Sequence, residues 1–161
     1  MNVLPIAEKI EIAMETLKRL PPGHFPTYKI SQWPDYMRDF WELWRLYNSE
    51  SAYDKPLRLT PTAQQISVMN EVILWPLEFG NQIPKDTWRI IFARCGGAKW
   101  KFIELMVGSS RRVCWERFRV GLAVLSYLTS IKNSESEKKL YTMPHKNAIS
   151  DDRITETYHT V

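Results

Sequence analysis

Apolar residues recur along most of this chain at steps of three and four, the spacing that lines one face of an α-helix. Ile6, Ile10, Met14 and Leu17 predict a first helix over about Ile6 to Leu20, stopped by Pro21-Pro22-Gly23. A loop containing Pro26 follows. Tyr36, Phe40, Leu43, Trp44 and Tyr47 predict a second helix that opens near Pro34. A polar, Pro-containing stretch covers Asn48 to Leu59. Thr60-Pro61 announces a third helix, with Thr as cap and Pro in the first turn. Ile66, Met69, Ile73 and Trp75 line it; Pro76 disturbs its end and Gly80-Asn81 closes it.

The second half continues in the same period. A fourth helix follows Pro84, with Trp88, Ile91, Phe92 and Cys95 buried and Gly96-Gly97 at its end. A fifth spans Ala98 to Met106, with Trp100, Ile103 and Val107 inward. A sixth runs from Ser110 to about Thr129 on Cys114, Phe118, Leu122 and Leu125. After Ser130 the apolar positions become isolated, and five bases face five acids. This composition predicts a flexible tail with room for one short helix. No segment has the two-residue period of a strand. The expectation is an all-α helical bundle in three parts. Residues 1–59 form an N-terminal helical lobe, 60–130 a C-terminal helix-turn-helix unit, and 131–161 the tail.

Composition narrows the class. The chain has 161 residues, 44% of them hydrophobic, and a mean hydropathy of -0.35. No apolar run approaches the ~18 residues needed to cross a bilayer. The N-terminus is broken by Glu8, Lys9 and Glu11 and does not read as a signal peptide. Cys95 and Cys114 lie apart without a CxxC pair, and His24, His145 and His159 are scattered. That spacing offers no zinc site, and it suits two core thiols in a reducing, cytoplasmic compartment. Asp35, Asp39 and Glu42 share a helix face with no His among them. They read as a solvated face, and no metal or cofactor is expected. No phosphate loop, HExxH or supported Ser/His/Asp set is present, so an enzyme is not expected.

Charge changes the picture more. Net charge is +4. Residues 85–130 hold nine Lys and Arg against three acids, so the basic excess falls on the last three predicted helices. Within them lies AKWKFIELMVGSSRRVCWERFRVGLAVLSYL, Ala98 to Leu128. A short helix, a Gly turn, a Ser cap and a long helix that opens on two arginines form the layout of a helix-turn-helix. Gly108 suits a turn that needs positive φ. Ser110 caps the long helix, where backbone N–H groups can hold a phosphate. Arg111 and Arg112 can take guanine bidentately or clamp phosphate. Trp115, Glu116 and Arg119 share the outer face, and Ser109 lies in the turn. Glu116 can accept from cytosine or pair with a neighbouring Arg. Trp115 can meet a thymine methyl or pack on the preceding helix. Lys99 and Lys101 lie at the start of that helix, a common place for phosphate contact. A solvated basic hairpin would carry the same charges.

The pieces PTAQQISVMNEVILW, DTWRIIFARCGGAKWKFI and GSSRRVCWERFRVGLAVL also resemble a phage-associated family of alphaproteobacterial proteins. Their order is similar to sigma-factor region 4, a layout shared with small antiterminators of the Q kind. Similar proteins occur in gene transfer agent clusters. The resemblance covers about Pro61 to Leu128. It implies a phage-derived, sequence-specific transcription regulator of antitermination type, acting on double-stranded DNA with RNA polymerase. Two positions depart from the usual pattern: Ser109 follows the Gly in place of an apolar residue, and Glu104 stands where a small residue often packs. The alternative is a small terminase subunit that packages phage-like DNA, which needs an oligomerisation segment. A monomer or dimer suits regulation. In the N-terminal lobe the aromatics of DYMRDFWELWRLY read first as core. The sharper expectation is an interface helix that presents Trp41 and Tyr47 to polymerase or to a second copy.

Overall fold

In the computed structural model the described residues are 5–20, 26–49 and 60–142, and the side chains of 47–49 lie outside that set. The described residues form seven α-helices and no strand: α1 Ile6–Arg19, α2 Thr27–Ser31, α3 Asp35–Ser49, α4 Ala63–Glu78, α5 Lys85–Cys95, α6 Trp100–Val107 and α7 Arg111–Thr142. The all-α expectation holds. None of these helices is long and apolar enough to cross a membrane. His24, His145 and His159 lie outside the described residues.

The helices pack around α5. Thr87, Trp88, Ile90, Ile91, Phe92, Ala93 and Cys95 are all buried, so this helix is enclosed on nearly every side. It touches α1, α3, α6 and α7, while α1 lies along α4. The aromatic part of the core forms where α3 meets α5. Trp33 stands edge-on to Trp41 at 6.4 Å and to Phe92 at 5.8 Å, and Trp41 stacks on Trp44 at 5.4 Å. Trp41 is only 7% exposed. The expectation that it is presented to a partner is therefore corrected: it belongs to the core, and Leu43, expected inward, is exposed. The Tyr47 side chain lies outside the described residues.

Local chemistry fixes the helix ends. The cap of α4 is Thr62, two residues beyond the expected Thr60. Thr62 Oγ1 accepts from the Gln65 N–H at 3.2 Å, and Gln65 Oε1 accepts from the Thr62 N–H at 2.9 Å, a capping box. Pro61 stays outside the helix. Pro76 does not end α4, which continues to Glu78. Pro76 has no N–H to offer the preceding turn, and next to it Trp33 Nε1 donates to the Ile73 carbonyl at 2.7 Å. Lys18 Nζ donates to the Gly96 carbonyl at 2.6 Å, which ties α1 to the end of α5. The loop expected around Pro26 contains the short helix α2.

α7 departs most from expectation. It does not stop near Thr129 but continues to Thr142, so the first twelve residues assigned to the tail are helical. Residues 143–161 lie outside the described set. α7 crosses α5 at Gly121. A Cβ there would fall inside van der Waals contact of Thr87 Cγ2 and 2.8 Å from Ile91 Cδ1.

Two outcomes check this packing. Gly121→Leu should lower stability by about 1–3 kcal/mol through overpacking, read as an earlier urea midpoint; an unchanged midpoint would mean that α5 and α7 do not approach closely. The thiols give a pH test. Cys95 and Cys114 are buried, and burial pushes the Cys95 thiol from its ordinary 9.0 up to about 12, with nearby Glu11 adding to the rise. The unfolded chain ionises this thiol first. Stability should thus be insensitive to it below pH 9.0 and fall as pH rises toward about 12. At neutral pH neither thiol should react with a disulfide reagent until denaturant is added; rapid labelling of the native protein would contradict the burial.

Candidate nucleic-acid interface

The C-terminal half of the bundle builds one continuous unit from α5, α6 and α7. Gly96 and Gly97 end α5, and Gly97 takes φ 89°. The Ala98 N–H returns to the Ala93 carbonyl at 3.0 Å, and Arg94 Nη1 donates to the Ala98 carbonyl at 3.1 Å. The Arg94 guanidinium also lies 4.8 Å above the Trp100 ring, and Trp100 meets Phe118 of α7 edge-on at 5.9 Å. An Arg–Trp–Phe stack therefore joins the three helices from side to side.

The turn between α6 and α7 follows the sequence closely. Gly108 adopts φ 73°, the left-handed conformation that ends α6, and its N–H bonds to the Glu104 carbonyl at 2.8 Å. Ser110 precedes Arg111, and its Oγ accepts from the Val113 N–H at 3.5 Å. The Ser109 carbonyl accepts from the buried Cys114 thiol at 3.7 Å. The anchor is the Ser109 main chain, so it does not depend on the polar side chain that stands after the glycine. Glu104 has a similar use, since its carboxylate meets Arg111 Nε at 3.6 Å across the turn.

The outer face of α7 carries the expected residues. Arg111 and Arg112 have side chains 64% and 89% exposed. Arg112, Trp115, Glu116 and Arg119 are exposed and fall on neighbouring turns of one face. Trp115 is 47% exposed, and the Arg119 guanidinium stacks on it at 5.0 Å. Glu116 pairs with Arg112 at 3.7 Å. Lys99 stands at the N-cap of α6 and Lys101 in its first turn, both exposed and without an ion pair among the described residues. They lie on the order of 10 Å along α6 from the Gly108 turn.

Three neighbours of this face were not among the expected site residues. Arg117 points toward α5, where Asp86 Oδ2 meets it at 3.7 Å, and Asp86 also holds Arg89. Leu105 on α6 and Val120 on α7 are 78% and 58% exposed. Leu105 could have been found by register, because it stands two residues from the inward Ile103. Among the described residues no group of three His, Cys, Asp or Glu could hold a metal ion. The face therefore offers guanidinium and ammonium donors, one indole surface, a serine-capped helix start, and carboxylates already engaged by arginines. That set suits an anionic polymer.

No match is found among curated proteins or among solved structures. A family profile described as a domain of unknown function, DUF6362, matches residues 18–125. The matched region begins in α1 and ends inside α7, so it takes in the aromatic core and the whole candidate interface. The chain belongs to the DUF6362 family.

Proposed function

We propose that this protein is a sequence-specific DNA-binding regulator whose α5–α6–α7 unit works as a helix-turn-helix, with α7 as the recognition helix. The observation that carries the reading is the start of α7. Its inner side is held by the buried Cys114 and by Gly121, while Arg111, Arg112, Trp115 and Arg119 stand outward in its first three turns. An arginine at that place reaches base edges, and a capped helix start receives a phosphate. Lys99 and Lys101 extend the same polarity along α6 as backbone contacts. The layout similar to sigma-factor region 4 and to Q-type antiterminators supports a phage-derived factor that acts with RNA polymerase, of antitermination type, in the cytoplasm. Chemistry at this face is recognition and not catalysis.

A second reading has one observation in its favour. A small terminase subunit needs an oligomerisation element after its DNA-binding unit, and α7 continues as helix to Thr142. A ring of many copies seen by light scattering would favour packaging over regulation.

The DNA reading is tested by a salt series on wild type and Arg111→Ala/Arg112→Ala with duplex fragments from the host genome. Affinity should fall as salt rises, and the variant should lose about 1–3 kcal/mol for each base-reading arginine. Equal binding by wild type and variant would remove α7 as the recognition helix. Genome-wide occupancy mapped with polymerase separates the kinds of regulator: a signal that travels past terminators marks antitermination, and a static promoter peak marks a conventional regulator.

A further inference from the structure

The first turns of α7 set an aromatic ring among cations. Trp115 is 47% exposed, while Phe118, the next aromatic along the helix, turns inward against Trp100. Arg111 and Arg112 stand four and three residues before Trp115 and Arg119 four after it, all exposed and on neighbouring turns. Helical side chains lean toward the N-terminus, so the indole lies over the turn that carries the two arginines. The Arg119 guanidinium stands 5.0 Å from the ring centroid, where it covers one face of the indole and restrains it. Against these three guanidiniums the same face sets one acid, Glu116, which Arg112 holds at 3.7 Å.

We infer that Trp115 reads thymine in the major groove of duplex DNA. This rests on the DNA reading above and names a base for it. The net positive charge of the face selects a polyanion, and the indole selects what lies on the groove floor. An indole has an N–H donor, an apolar rim and no acceptor. Thymine shows the O4 acceptor beside the C5-methyl, the one base edge that joins an acceptor to an apolar group. Cytosine sets a donor against the indole N–H at the same place. Guanine shows acceptors without a methyl, and adenine adds a donor beside its acceptor. A single strand fits this face less well, because it lays successive bases on successive aromatic rings. Here Arg119 already covers one face of Trp115, and Phe118 is turned inward.

Spacing extends the assignment to a second base. The step from Arg111 or Arg112 to Trp115 advances ~5 Å along the helix, and successive bases stand ~3.4 Å apart along a strand. A guanine taken bidentately by either arginine therefore lies about one or two base pairs from the thymine. Both readers ride on one helix, so this spacing is fixed. The methyl is comparable to one buried CH₂, roughly fourfold in affinity.

Selection of the full chain on a random duplex pool, followed by removal of one methyl group, tests the assignment. Wild type should enrich a guanine with a thymine about one or two base pairs away, and Trp115→Ala should keep the guanine and lose the thymine. In the selected duplex, deoxyuridine at the thymine position keeps O4 and removes only the methyl. Wild type should bind that duplex roughly fourfold more weakly, and Trp115→Ala should bind both duplexes equally. Trp115→Phe, which keeps an apolar ring, should retain part of the methyl effect. The comparison on wild type needs no variant, so it decides the matter even if Trp115→Ala fails to fold. Equal wild-type binding of the thymine and uracil duplexes would overturn the proposal and leave the recognition helix in place. A methyl effect that survives undiminished in Trp115→Ala would also overturn it, by giving the thymine to another residue. Enrichment of no duplex at all would remove the DNA reading together with it, and so would tighter binding of the single strands than of the duplex.

Discussion

The enclosure of α5 is the constraint on which the rest of the molecule depends. Seven of its eleven residues are buried, so it cannot lie at the edge of a two-layer arrangement, and α1, α3, α6 and α7 must surround it. Each neighbour meets it through a different device. α3 brings Phe40 and Trp41, and the link before it brings Trp33, as large aromatic filler worth more in edge-to-face contact than their area alone. α1 brings Lys18 to the helix's last carbonyls, where a cation complements the dipole. α7 brings a glycine. The N-terminal lobe and the basic half expected as separate units thus share one core.

What the sequence made legible and what it did not follow from the same physics. α1, α3, α5 and α6 were found within a few residues because each carries a three–four stripe and a Pro or Gly boundary. α2 was missed because five residues hold too few turns for a stripe, and it opens at Pro26 without a side-chain cap. The start of α4 shifted because Thr60-Pro61 imitates a cap, whereas Thr62 has Gln65 three residues on and closes a reciprocal box. Trp41 was misplaced because α3 buries a wider sector than a narrow stripe. The far end of α7 was lost because its composition turns polar where it leaves the bundle. Polarity marks where packing ends, not where a helix ends. No Gly or Pro occurs between Gly121 and Pro144, and Ser136 and Thr142 return their hydroxyls to the carbonyls four residues back.

The candidate interface was more legible than its supports. Gly108, Ser110 and the outward arginines lie where turn and cap chemistry put them, since those rules are local. The partners of these residues come from elsewhere in the fold. Glu104 answers Arg111 across the turn, Asp86 answers Arg117 from α5, and Arg94 reaches Trp100 around the glycines. Nothing in the spacing of the chain announces pairs of that kind.

Those carboxylates act as built-in counterions. Arg111, Arg112 and Arg117 each have an acid within 3.7 Å, so a polyanion that approaches α7 meets guanidinium groups already answered from within. Each must trade one partner for another. A trade returns less than a first capture, and fewer small ions leave the polymer for every arginine that lands on it. On the DNA reading proposed above, these pairs lower what Arg111, Arg112 and Arg117 gain from a random run of phosphates, while Lys99, Lys101 and Arg119, which make no ion pair among the described residues, keep theirs.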